Sequence, residues 1–424
     1  MDDNNYHLIS LTGFFLVASI AWATGSRHKI NPKTIIGSIA LAWVLGILTF
    51  RLSWSRSALQ WINDALIAIL SASQAGALFL FGPLAISPGQ TMQDGTPSIG
   101  FILAFQVLPS IIFFSALVSG FYYLGIMQIV VRFFARIFHR LLALSGAESL
   151  SASANIFVGI ESGLIIHPYL MKITRSELLT LMTCMMATVA STVMGVYVIA
   201  LHDIFPQIAG HLISASLISI PCAVIASKLS LPEQMTPETL GHFPEAKNDP
   251  EKPSNFMVAL VKGGSQGTKM AVGIATVLIV VLGLEALLDL TLAKSLGQDF
   301  SVQNLIGILT IPFCALLGLP PEEWQVAGQI LGSRFVETEV SAYFALAQVQ
   351  TADPAAFTKR SIIILTYALC GFVHLASMGI FIGGLTALVP SRANDITVIG
   401  GRALWTAFLA TLLTGCIAGA LVSN

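Results

Sequence analysis

AESLSASANIFVGIESGLIIHPYL, residues 147–170, is too apolar to sit in water and too interrupted to cross a membrane as one helix. Two apolar arms flank a polar centre, GIESG. The same pattern returns at 322–349, EEWQVAGQILGSRFVETEVSAYFALAQV, around the centre SRFVETE. Each stretch is followed by a short link and a long apolar run. Exposed non-helical backbone is not tolerated in lipid, but it is tolerated where protein buries it or where it lines a cavity. Paired interrupted segments in two parts of a chain are the best sequence pointer to a transporter's binding site.

Working outward, the rest of the chain agrees. Of 424 residues, 55% are apolar and only 10% are charged, against about 25% charged in a soluble domain. Mean hydropathy is +0.81. A net charge of −1 offers no overall basic excess to hold a nucleic-acid backbone. These figures exclude a soluble globular enzyme, a disordered chain and a nucleic-acid binder. The apolar runs are too long and unbroken for an outer-membrane barrel. Five cysteines, 184, 222, 314, 370 and 416, lie inside apolar runs and form no CxxC pair, so they read as small buried hydrophobes. The N-terminus, MDDNNYHL, lacks the basic region of a signal peptide, so the first run reads as a retained helix.

The expected fold is an all-α polytopic membrane protein. It has eight transmembrane helices plus two re-entrant helical hairpins in inverted repeats. The spans fall near 8–24, 34–50, 100–120, 176–201, 206–229, 270–290, 361–389 and 402–422. Residues 54–70 mix polar and apolar types at helical spacing and are expected along the interface. With the N-terminus outside, basic residues gather on the inner side by about three to one. Eight spans bring the C-terminus back outside, so both termini are expected to be periplasmic. The first hairpin then enters from inside and the second from outside. Four regions follow: 1–145, mostly scaffold; 146–229, a first transport repeat; 230–320, a cytoplasmic loop and scaffold helix; and 321–424, a second transport repeat.

Ionisable side chains at membrane depth are functional candidates because insertion costs about 2.5–3.5 kcal/mol. Glu161, Arg334, Glu337, Glu339 and His374 qualify. Arg334 and Glu337, three apart, can pair on one helix face. Glu339 has no close basic neighbour and is the stronger candidate for substrate binding. Glu161 stands between Gly159 and Gly163 at a hairpin tip. Asn155, the Val158 carbonyl, Thr192 and the Val193 carbonyl can form an all-oxygen site for a small hard cation. HExxH is absent, GIESG (159–163) is not GxSxG, GGSQGTK (263–269) lacks the Walker spacing, and Glu337 and Glu339 diverge on a helix, so no enzyme is expected.

SLSASANIFVG (149–159), ALCGF (368–372) with Ser377 and IGG (382–384), and Glu339 with AY (342–343) resemble the concentrative nucleoside transporters. The resemblance runs from about residue 75 to the C-terminus. It implies an inner-membrane secondary transporter, a homotrimer with a static scaffold and an elevator-like transport domain. The solute would be a nucleoside, coupled to sodium or protons. Carried over by position, the family's Gly-Gln-Thr-Glu tip reads Gly159, Ile160, Glu161, Ser162 here. Its Asn-Glu reads Thr338, Glu339. Its Phe-x-Asn-x-x-Ser becomes Phe372, His374 and Ser377. Tyr197 joins the substrate set, and Asn155, Val158, Thr192 and Val193 take the family's sodium positions. The resemblance therefore assigns Glu339, Ser377 and His374 to the sugar and Glu161, Ser162 and Phe372 to the base. The lost amides at Ile160, Thr338 and His374 leave room for a modified nucleoside or another small polar solute. His374 leaves proton coupling open. An uncoupled channel or gate built on the same hairpins is the alternative.

Overall fold

In the computed structural model, residues 3–86, 90–91, 95–157, 159, 162, 166–241, 253–296 and 301–422 are described. Helices dominate, with one isolated bridge, Thr91 to Pro97. The N-terminal part holds α1 (Asp3–Ala23), α2 (Pro32–Arg51), α3 (Ser53–Phe81), α4 (Leu108–Tyr123) and α5 (Ile126–Leu142). The next stretch holds α6 (Gly146–Ala154), α7 (Arg175–Ala187), α8 (Ser191–Leu201) and α9 (Ile208–Ser230). Then come α10 (Phe256–Leu296) and α11 (Val302–Leu317). The C-terminal part holds α12 (Trp324–Val336), α13 (Glu339–Ala352), α14 (Lys359–Leu369), α15 (Leu375–Leu388) and α16 (Ala393–Leu421).

Seven helical stretches among the described residues are long and apolar enough to cross a membrane. They differ from the expected eight in instructive ways. Residues 54–70 are not a separate surface piece. They begin the 29-residue α3, and Asn63–Ala85 is itself long and apolar enough to span. The polar opening SWSRS masked that continuity. The expected spans 176–201 and 361–389 are each two helices with a break, at 188–190 and 370–374. α11 adds an apolar helix of 16 residues that fell below the length sought in the sequence.

The core forms around α16 and α9, which bury most of their residues. α16 packs on α1, α7, α9 and α14, and α9 also receives α2 and α7. Small residues permit the approach. A Cβ added at Gly415 would lie 2.7 Å from Leu317 and 3.0 Å from Ala368. α4 packs mainly on α10, whose other faces leave Ile279, Leu284 and Leu287 exposed. In a lipid solvent such apolar exposure is no liability.

Local chemistry fixes where the repeat helices begin. Ser145 and Glu148 form a capping box on α6, and Thr174 and Glu177 form one on α7. The two boxes interlock, with Ser145 Oγ donating to Glu177 Oε1 at 2.5 Å. Lys228, at the end of α9, was expected in an inner loop. It is buried instead, 2.5 Å from Glu148 and 3.0 Å from Ser176 Oγ. Arg360, expected in an outer loop, is likewise buried. It donates to Gly318 O (2.6 Å), Gly419 O (2.7 Å) and Ser10 Oγ (3.0 Å), tying α14 to α1, α11 and α16. Both cations sit at helix ends whose free carbonyls or caps satisfy them.

Candidate functional site

The two helix breaks touch. Gly371 adopts φ +151°, a region that favours glycine. A Cβ there would lie 2.8 Å from Met186 O and 3.0 Å from the Ala187 carbonyl carbon. The second break is thus pressed onto the last turn of α7, at the edge of the first. A broken helix leaves carbonyls without intrahelical partners. At the end of α14, one donor from α12 and one from α13 meet them. Tyr343 Oη donates to Thr366 O (2.8 Å), and Arg334 Nη1 donates to Ala368 O (2.5 Å). Arg334 also donates to Thr411 Oγ1 at 3.1 Å and lies over the Phe408 ring at 5.7 Å.

Beyond the break, His374 caps α15. Its Nδ1 accepts from Ser377 N–H (3.1 Å), and Ser377 Oγ faces the His374 backbone N–H in return (3.3 Å). Ser377 Oγ also contacts the carbonyls of Phe372 (2.5 Å) and His374 (2.7 Å). Because Nδ1 accepts, the neutral ring carries its hydrogen on Nε2. Nε2 lies 3.0 Å from Glu339 Oε2. That contact is close but misses full hydrogen-bond geometry, so Oε2 keeps an unfilled acceptor site. Oε1 accepts from Tyr197 Oη on α8 at 2.8 Å. Thr338 caps α13 through Ser341 N–H (3.2 Å), which places Glu339 in the first turn of that helix. Tyr197 and Tyr343 pack with ring centroids 4.7 Å apart.

Glu339, Thr338, Tyr197, His374 and Ser377 are all buried, and the Phe372 backbone joins them through Ser377. Six of the substrate residues read from sequence therefore converge from α8, α13 and α15. A buried carboxylate with one oxygen unfilled is suited to accept hydroxyl donors from a polyol.

The cation set is only partly visible. Asn155, at the end of α6, is fully buried, and among the described residues neither amide atom has a hydrogen-bond partner. Ser162 Oγ is in the same condition. An amide buried without partners costs roughly 2–7 kcal/mol, so its oxygen fits a hard cation that would relieve the cost. Val193 is buried in the first turn of α8. Val158, Ile160, Glu161 and the Thr192 side chain lie outside the described residues.

One pairing expected from sequence does not occur. Arg334 does not meet Glu337, which instead accepts from Gln303 Nε2 (2.8 Å) and pairs with Ser341 Oγ. Glu337 terminates α12 at φ −82°, ψ −108°, so the helical three-residue spacing no longer holds there. Tyr343 and Gly371 lie in the quoted AY and ALCGF motifs, but the sequence reading gave neither a role of its own. The isolated Gly after Cys370 was the available signal for a strained close approach.

Comparison with known proteins identifies the family. Residues 12–84 match a family described as Na+ dependent nucleoside transporter N-terminus, 104–203 one described as nucleoside recognition, and 211–419 one described as Na+ dependent nucleoside transporter C-terminus. A Helicobacter pylori protein named nucleoside permease NupC is 31% identical, over 98% of each chain. Rattus norvegicus sodium/nucleoside cotransporter 1 is 33% identical, over 98% of this chain and 64% of the rat protein. The solved structure of CNTnw in an inward-facing substrate-bound state superposes with a TM-score of 0.89 at 30% identity, covering 98% of each chain.

Proposed function

The chain belongs to the concentrative nucleoside transporter family, membrane transporters and not enzymes, and from that premise we propose that it is a cation-coupled importer of nucleosides or a nucleoside-like solute. The observation that carries this reading is Glu339, a buried carboxylate shared by Tyr197 and His374 beside two abutting helix breaks. Sugar hydroxyls would take the unfilled Oε2 and compete with Tyr197 for Oε1. Ser377 and His374 would face the sugar from α15. Phe372 would stack on the base, with Glu161 and Ser162 on its far side.

Sodium is the coupling ion we favour, held by Asn155, the carbonyls of Val158 and Val193, and the Thr192 hydroxyl. Its binding would order the first-hairpin tip, so loaded and empty carriers differ in free energy, as coupling requires. The two hairpins would be re-entrant and inverted. The repeats would ride past a scaffold built on α4 and α10 in an elevator motion within a homotrimer in the bacterial inner membrane. Solved structures of the relative CNTnw in inward-facing, outward-facing and intermediate states support such a motion.

Uptake of labelled uridine into proteoliposomes tests the proposal. Accumulation above equilibrium that collapses when sodium and proton gradients are both removed is expected. Uptake that only equilibrates, whatever the gradients, overturns coupling and indicates a channel.

A further inference from the structure

α5 is the most amphipathic helix of the chain, and its surface divides into three sectors rather than two. Met127, Val131, Ala135, Phe138 and Leu142 are buried against the protein. Ile129 is 72% exposed, Phe133 57% and Leu141 53%. Between these faces runs an exposed stripe of Arg132, Arg136 and Arg140, four residues apart and so about 40° apart around the axis. The helix contains no acidic residue. Among the described residues, none of the three guanidiniums has a hydrogen bond or ion pair to protein.

A face that is half apolar and half cationic, beside a packed face, fits the boundary between acyl chains and headgroups. Neighbouring chain strengthens the charge. A Cβ on Gly37 of α2 would lie 2.0 Å from Leu141 O, so the end of α5 meets the start of α2. The connection leading into α2 carries Arg27, His28 and Lys29, with Lys33 in the first turn, and no acidic residue. Left-handed residues bound α5 at both ends, Gly125 at φ +81° and Ala143 at φ +49°. Ala143 is followed by the Ser145 cap of α6. The helix is thus a discrete strap between α4 and α6.

We propose that Arg132, Arg136 and Arg140 form a binding surface for the phosphodiester headgroups of anionic lipids, with Ile129, Phe133 and Leu141 seated among the acyl chains. The occupant is a lipid surface and not a soluble anion, because the apolar sector adjoins the arginines along the whole helix. Headgroups bound there hold the strap that leads into the first hairpin. This surface does not depend on which solute is carried.

The full chain in nanodiscs of phosphatidylcholine, with or without phosphatidylglycerol, provides the test. Hydrogen exchange over 126–143 and retained lipid by native mass spectrometry are the readouts, neither of which requires transport. Phosphatidylglycerol should be retained in preference to phosphatidylcholine and should slow exchange in this segment. Retention should weaken about fivefold for each arginine removed in R132Q/R136Q/R140Q and should survive in R132K/R136K/R140K. Wild-type protein indifferent to phosphatidylglycerol overturns the proposal, whatever the variants do. Equal retention by the wild-type and glutamine variants places the lipid elsewhere and also overturns it. Slowing by inorganic phosphate alone assigns the stripe to a soluble anion and overturns the lipid assignment.

Discussion

His374 uses its two ring nitrogens separately, one to cap α15 and one to face Glu339. The two duties can be uncoupled. His374→Asn retains a capping side chain and should fold as the wild type, whereas His374→Ala should lose about 1 kcal/mol of stability. Thermal unfolding of the two variants checks this. Substrate preference should change in both, because Oε2 of Glu339 has lost its neighbour. Glu339→Gln keeps the shape but removes the charge that hydroxyls would seek. Uptake should fall by about a hundredfold while the protein still assembles, measured by proteoliposome transport alongside size-exclusion profiles. Wild-type uptake by that variant removes Glu339 from the site. Glu339 and His374 were legible in the sequence as ionisable groups in an apolar background, whereas Phe372 and Ser377 came only from the family resemblance. The Arg334–Glu337 pairing failed because helical spacing was assumed across a helix end.

Among the elements, the breaks in α7–α8 and α14–α15 were the features least visible in the sequence. Each lies inside an unbroken apolar run, and hydropathy does not register a lost backbone hydrogen bond. The structure shows what compensates for them. Arg334 is fully buried and reaches the equally buried C-terminal end of α14, which places a fixed positive charge at a helix C-terminus. Arg334→Met should cost about 3 kcal/mol, since two charge-assisted donors are lost and the buried Ala368 O loses the guanidinium that satisfies it. Denaturant or thermal unfolding in detergent reads the loss. Gly371→Ala should cost about 1–3 kcal/mol, from backbone strain and from the clash with Met186 O. An alanine variant of wild-type stability would show that the two breaks can separate at no cost.

For the whole molecule, composition alone was sufficient to identify a polytopic helical membrane protein, because 10% charge cannot cover a soluble surface of this size. Helix number was less legible. α3 hides its apolar length behind a polar start, and α11 is short. The apolar residues left exposed along α10 suit either acyl chains or another copy of the chain. We expect native mass spectrometry of the detergent-solubilised protein to give a trimer, and a monomer at all concentrations would exclude the proposed assembly.

The seam at Gly371 and Met186 carries one further implication. No side chain stands between the two kinks to absorb a displacement, so neither can relax by itself. Whatever conformational steps the molecule takes, spectroscopic labels beside residues 189 and 372 should report one shared rate constant. Two clearly different rates would mean that the seam opens midway through the cycle.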